Sequence, residues 1–300
     1  MLSGALLKFG LSLADLLLGR APARVAYGVA DLAGRTWYRT SAQRRELVTE
    51  NLRRVCAATG RPTSRPALRR LVEQAFVEHA RYYLELLRAP HYPIERIEQF
   101  VSVDEWGRWE PVLRGGVVVA LPHFGNFEPY GTFVAKGGIR ALAPVEEIRP
   151  RVLFDFLRAR RGVGWIELVP LQHARRPMTE ALKRHEVVAL VADRDLDGRG
   201  VPVTFFGHET TMPSGPAALA LMTGTSLIAG ASWRTGRDRF RARAWSIEVQ
   251  QSGDRRADAA TITQAMARRF EEAIDIAPEQ WWGAFQPIWL DQRPHKKDEK

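Results

Sequence analysis

Apolar positions change their spacing twice along the chain. In residues 1–20, Leu6, Leu7, Leu11, Leu13, Leu16, Leu17 and Leu18 recur at roughly helical intervals, with Lys8 and Asp15 among them, which predicts a helix with one apolar face. From Ser41 to Ala89 a helical period runs on, broken after Gly60 by a loop holding Pro62 and Pro66; proline at its start opens the second helix of this pair. After Pro90 and Pro93, short β-branched runs alternate with helical windows. VVVAL at 117–121, WIELVPL at 165–171, VVALVAD at 187–193 and SLIAGASW at 226–233 predict strands, several of them apolar enough to be buried on both faces. Helices are expected between them at 126–135, 149–161, 175–184 and 215–223. The segment 240–250 reads as an edge strand, and 257–277 as a late helix ending before Pro278. This alternation predicts an α/β fold with a mixed, mostly parallel sheet and helices on both faces, preceded by an N-terminal helical layer. No repeat, low-complexity tract or linker divides the chain, so one domain is expected over 1–300, with a helical layer at 41–90, an α/β core at 100–290 and a frayed tail HKKDEK.

Composition excludes several classes. With 300 residues, 45% hydrophobic and 26% charged, the chain can bury roughly three quarters of its unfolded surface, which excludes disordered and fibrous readings. A formal charge of +10 favours anionic partners such as phospholipid, a phosphorylated cofactor or nucleic acid. All but six of the 44 basic residues are arginine, a skew that a G+C-rich genome also produces. The lone Cys56 excludes an intramolecular disulfide and a cysteine zinc site. The apolar run at 1–20 lacks a cleavage site and is too short and too charged for a membrane span; it suits a helix lying on a membrane surface, or one packed on its own domain.

Candidate chemistry lies at strand ends, where open α/β sheets build their sites. The strand 117–121 ends at Pro122 and is followed by His123-Phe124-Gly125-Asn126-Phe127-Glu128. Asn126 is a candidate helix cap, and Glu128 in the first helical turn is close enough to fold its carboxylate back on the imidazole. Such a pair fixes the ring tautomer and raises the basicity of the other nitrogen, as a general base requires. A second group, Asp193-Arg194-Asp195, follows another buried strand. A third, Arg149, Arg151, Arg158, Arg160 and Arg161, shares one helical window and is either an anion site or a solvated basic face. Ser214-Gly215-Pro216 reads as a helix cap. Trp281, Trp282 and Trp289 are expected in the core, or else in an interfacial belt. There is no G-x-S-x-G elbow of an α/β-hydrolase, no nucleic-acid motif, and no third ligand beside Asp193 and Asp195 to suggest a metal.

The run GGVVVALPHFGNFEPYG resembles the histidine-x4-acid block of glycerolipid acyltransferases. The likeness continues through 149–171, VADRDLDGRGVPVTFFGHETTMPSGPAALALMTG at 191–224 and PEQWWGAFQPIWLDQRP at 278–294. On these motifs the chain resembles the bacterial lysophospholipid acyltransferase family, which includes the lipid A late acyltransferases and the phosphatidylinositol mannoside acyltransferases. VADRDL, GVPVTFFG and MPSGPAALA are most like the phosphatidylinositol mannoside branch. That branch usually carries aspartate where this chain has Glu128, whereas the lipid A branch commonly carries glutamate. The resemblance implies a glycerolipid acyltransferase-like fold and transfer of a fatty acyl group from acyl-CoA, or acyl carrier protein, to a hydroxyl of a membrane glycolipid. It implies His123 as general base with Glu128 orienting it, no acyl-enzyme, and no cofactor beyond acyl-CoA as co-substrate. Asn126, Arg160, Asp193, Arg194 and Asp195 would surround the substrates. An anionic lipid surface is the expected partner, met by the 1–20 helix at the cytoplasmic face of the inner membrane. A lipid A acceptor and a non-catalytic lipid-binding member are the alternatives.

Overall fold

A computed structural model describes residues 4–146, 150–161, 166–195 and 198–293; within these, the side chains of residues 4, 5, 8, 157, 158, 160 and 161 lie outside the description. Four helices come first: α1 (Gly4–Gly19), α2 (Ala23–Thr40), α3 (Ala42–Ala58) and α4 (Arg65–Arg88). Then follow β1 (Val101–Val103), α5 (Trp106–Arg114), β2 (Val117–Leu121), α6 (Glu128–Lys136), β3 (Ala141–Val145), α7 (Arg151–Arg161), β4 (Ile166–Pro170), α8 (Arg175–Lys183) and β5 (Val187–Val191). The hairpin β6 (Val201–Phe205) and β7 (His208–Met212), α9 (Gly215–Thr223), β8 (Ser226–Gly236), β9 (Arg239–Ile247) and α10 (Arg255–Ile276) complete the regular elements. Beyond α10 the chain runs to Arg293 through short 3-10 turns.

Seven strands form one sheet in the order β1-β9-β8-β2-β5-β3-β4, parallel throughout except for the antiparallel β8/β9 pair. The expected mixed, mostly parallel sheet and N-terminal helices are therefore present. Side chains alternate between its two faces. Val118, Ala120, Val188, Leu190, Leu227 and Ala229 join a large core with α3, α4, α9 and α10. Val117, Val187 and Ile228 face the other way, into a smaller core with Trp109 of α5 and Ile139. Burial on both faces explains why β2, β5 and β8 read as continuous apolar runs.

Two expectations are corrected. The strand expected at the sheet edge, β9, lies one place in: the three residues of β1 pair with it, Val101 opposite Phe240. The region between the first helix and Ser41, for which the apolar spacing predicts no element, is a full helix, α2, that buries Ala26, Tyr27, Ala30 and Gly34.

Candidate active site

The register of the central sheet brings two of the candidate residues together. β2 and β5 run parallel with Val117 opposite Val187 and Leu121 opposite Val191. The ladder extends one step further through the Ala192 N–H donated to the Leu121 carbonyl at 2.9 Å. His123 and Asp193 are each the second residue past their strand, so the same register sets them side by side. The imidazole Nδ1 and Asp193 Oδ1 are 2.5 Å apart. The Asp193 side chain is fully enclosed, whereas that of His123 is 21% exposed. Nε2 has no protein hydrogen-bond partner among the described residues. An ionised carboxylate on Nδ1 keeps the proton on that nitrogen and leaves the Nε2 lone pair as a base.

Burial alone would push the Asp193 carboxyl up. The charge of His123, its hydrogen bond and a second one from the Trp281 indole outweigh that effect and hold the group below the usual aspartate range. The indole Nε1–H donates to Oδ2 at 3.0 Å, so each carboxylate oxygen has its own donor.

That indole belongs to the segment after α10, which closes over the histidine loop. Phe124 and Trp281 form an isolated antiparallel bridge. The Gly125 N–H donates to the Gln280 carbonyl at 2.9 Å and the Gly283 N–H to the His123 carbonyl at 3.1 Å. The Trp282 indole donates to the Gly125 carbonyl at 3.2 Å, and its ring meets the His123 ring edge-on with centroids 4.8 Å apart. Trp281 and Trp289 are wholly buried; truncating such a ring to alanine costs about 3–5 kcal/mol. Further along, Asn51 of α3 donates to the carbonyls of Ala284 and Gln286 at 2.7 and 2.9 Å, and Arg54 meets Asp291 at 2.5 Å.

The loop itself is drawn tight against β8. Gly125 has φ +57°, and a Cβ there would lie 1.7 Å from the Ser232 carbonyl oxygen, so only glycine fits. Asn126 is buried: its amide donates to Glu85 at 2.9 Å, its Oδ1 accepts the Glu128 N–H at 3.0 Å, and its carbonyl accepts the Ser232 hydroxyl at 2.8 Å. Glu85 also accepts the Tyr27 hydroxyl at 2.9 Å. Arg234, at the tip of β8, ion-pairs with both Glu78 and Glu85 of α4, and these partners push its already high pKa further up despite its burial. A network of buried charges thus joins α2, α4 and β8 beneath the histidine loop.

The expected site residues separate into those the structure gathers and those it engages elsewhere. His123 and Asp193 pair directly. Glu128, expected on the imidazole, opens α6 as a buried residue; Nδ1 is held by Asp193 instead, because adjacent parallel strands deliver Asp193 in register. Asn126, expected among substrate-binding groups, has its amide committed to Glu85 and the Glu128 N–H, so it holds the loop's shape. The Asp195 carboxylate accepts from the Thr211 hydroxyl at 2.6 Å and the N–H groups of Gly198 and Gly200 at 3.0 and 3.1 Å, which ties the β6/β7 hairpin down. Arg194 reaches Glu146 beyond β3 at 3.3 Å. The Arg160 side chain lies outside the described residues. Trp281 and Gly283 carry no expectation as site residues; the signal available was the WWG run itself.

Residues 8–293 match the model of the bacterial lipid A biosynthesis acyltransferase family. The phosphatidylinositol mannoside acyltransferase of Mycolicibacterium smegmatis is 33% identical over 228 residues, covering 73% of this chain and 72% of that protein. The phosphatidylinositol mannoside acyltransferase of Mycobacterium tuberculosis is 33% identical over 222 residues, covering 71% of this chain and 68% of its own length.

Proposed function

We propose, since the chain belongs to the bacterial lipid A biosynthesis acyltransferase family and is an O-acyltransferase, that it moves a fatty acyl chain from acyl-CoA or acyl carrier protein to a hydroxyl of a phosphatidylinositol mannoside-type glycolipid. The observation that carries the chemistry is the hydrogen bond between His123 Nδ1 and Asp193. Nε2 takes the proton of the acceptor hydroxyl as its oxygen attacks the thioester carbonyl, and Asp193 balances the positive charge that appears on the ring. When the tetrahedral intermediate collapses, the C–S bond breaks and the imidazolium returns the proton to the departing thiolate. The products are one ester and one thiol, with no acyl-enzyme. Cys56, buried in α3, has its thiol pushed up by burial and is no nucleophile. Glu128 supports the histidine loop, and Arg160 and Arg194 act on anionic parts of the substrates.

The acceptor is a lipid, and the two N-terminal helices offer a surface for it. Phe9, Leu13, Leu16 and Leu17 on α1, and Val25, Val29 and Leu32 on α2, are exposed, at spacings that put each set on one helix face. Among the described residues no helix is long and apolar enough to cross a membrane; the exposed apolar faces of α1 and α2 lie along the cytoplasmic leaflet. The exposed Arg20, Arg24, Arg35 and Arg39 add attraction to anionic headgroups that salt screens.

The decisive assay is mass spectrometry of lipid products, with free thiol followed in parallel, using phosphatidylinositol mannoside or a lipid A precursor as acceptor. Product on the first acceptor alone is expected, and His123→Ala removes nearly all of it. Turnover by folded His123→Ala protein would overturn the mechanism, and product on the lipid A precursor alone would overturn the acceptor.

A further inference from the structure

The residues after α10 do more than cover the sheet. Trp281 donates its indole N–H to Asp193 Oδ2 at 3.0 Å, on the oxygen other than the one the His123 imidazole meets. Both side chains are buried, Trp281 at 0% and Asp193 at 1% exposure. The other donors to this carboxylate are the imidazole and the backbone N–H of His123, so Trp281 is its one donor from outside the histidine loop among the described residues. The neighbouring Gly283 completes the arrangement. A Cβ there would stand 2.4 Å from the Trp281 Nε1 and 2.9 Å from Asp193 Oδ2. A methyl group at position 283 would therefore occupy the space in which the hydrogen bond forms. Two residues apart, one side chain supplies the donor and one missing side chain supplies the gap.

We infer that Trp281 is a positioning residue for the acyl transfer: through its hydrogen bond to Asp193 it fixes the carboxylate that orients His123, and Gly283 keeps the space for that bond open. The inference rests on His123 as the general base, and it adds a third member to the pair from a segment that shares no strand with either. A carboxylate with one free oxygen can rotate about its Cβ–Cγ bond; with a donor on each oxygen it has a single orientation, and Nδ1 has a single place to point. The indole also takes up part of the negative charge, so the proton of the pair is less tightly held than beside a bare carboxylate.

Three variants carry the test. Trp281→Phe removes the donor and keeps an aromatic ring; Trp281→3-benzothienylalanine keeps the shape of the indole and removes only the N–H; Gly283→Ala intrudes on the bond from the other side. Each is expected to lower kcat by about 10- to 100-fold, the scale of one hydrogen bond to a charged group, with KM for both substrates changed less than about twofold. The acid limb of the kcat/KM profile moves to higher pH, since the undamped carboxylate holds the proton on the pair more tightly. In an Asp193→Asn background Trp281→Phe has little left to remove, so its effect shrinks to about twofold or less. A benzothienyl variant with unchanged kcat and pH profile overturns the inference, as does a Trp281→Phe loss that persists undiminished beside Asp193→Asn. His123→Ala assayed alongside separates the two ideas: full activity there removes the general base, whereas an inactive His123→Ala with an unaffected benzothienyl variant removes only the role of Trp281.

Discussion

His123 and Asp193 reach the site as continuations of neighbouring strands, each two residues beyond a backbone ladder that aligns Val117 with Val187. Residues 278–293 reach the same site through a single bridge, Phe124 to Trp281, with backbone bonds from Gly125 to Gln280 and from Gly283 to His123, and through side chains: Asn51, Arg54, two indoles and the amide of Gln280. In the first region, position follows from register and tolerates change in any one side chain that preserves strand packing. In the second, position depends on two backbone bonds to the histidine loop and, for the rest, on individual side-chain bonds, each of which one substitution removes. The proposed base and its carboxylate therefore sit on the part of the molecule that mutation moves least, and the indole that meets the carboxylate on the part that mutation moves most.

The largest effect expected tests the register itself. Asp193→Asn keeps the shape and removes the charge, and kcat should fall by about 10²- to 10⁴-fold with little change in melting temperature. Glu128→Gln should cost less, because Nδ1 already has its acceptor. Equal losses for the two variants, measured by thiol release, would return the orienting role to Glu128.

A second effect falls on stability and concerns the base on which both regions rest. Arg234→Met leaves Glu78 and Glu85 buried without their shared cation, and removing one partner from a buried ion network costs about 3–5 kcal/mol. Urea midpoints would show it, and a loss below about 1 kcal/mol would mean that Arg81, which also meets Glu78 at 2.8 Å, suffices alone.

The smallest expected effect is a pH dependence carried by a histidine packed against the second region. His79 of α4 packs on Phe285 with ring centroids 4.4 Å apart, its Nδ1 has no hydrogen-bond partner among the described residues, and burial, with Arg44 nearby, pushes its pKa down to about 3. The unfolded chain binds this proton near the ordinary value of about 6.5, so the unfolded state gains protons first as pH falls. Stability is lost between those two values, and going from pH 6.5 to 4.5 should cost about 2 kcal/mol through this group. His79→Phe should flatten that part of the curve; an unchanged slope in denaturant titrations would show that other groups carry it.

Much of the first region was legible in the sequence and little of the second. Uninterrupted runs such as VVVAL and VVALV announce buried parallel strands, and the helices expected at 215–223 and 175–184 fall on α9 and, to within one residue, on α8. Pro144 hides β3 within ALAPV, β1 has only three residues, Pro202 interrupts β6, and the polar run HETTM hides β7. The Asp193 partner was within reach: VVVALPH laid beside VVALVAD as parallel neighbours pairs His123 with Asp193, whereas proximity in sequence favoured Glu128. Trp281 lies in irregular chain with no period, and its contact with Asp193 joins positions 88 residues apart. Arg160 could be placed on a helix and no further.

The extension of the β2/β5 ladder by the Ala192 N–H has a consequence in time. Separating the strand ends that carry His123 and Asp193 requires breaking central-sheet hydrogen bonds, and such openings coincide with unfolding of the whole domain. The amides of 118–121 and 188–192 should accordingly be among the slowest to exchange with deuterium. An opening limited to residues 280–286 needs only two backbone bonds to the histidine loop and a few side-chain bonds to yield, so the strand ends that carry His123 and Asp193 stay together while their clasp can breathe.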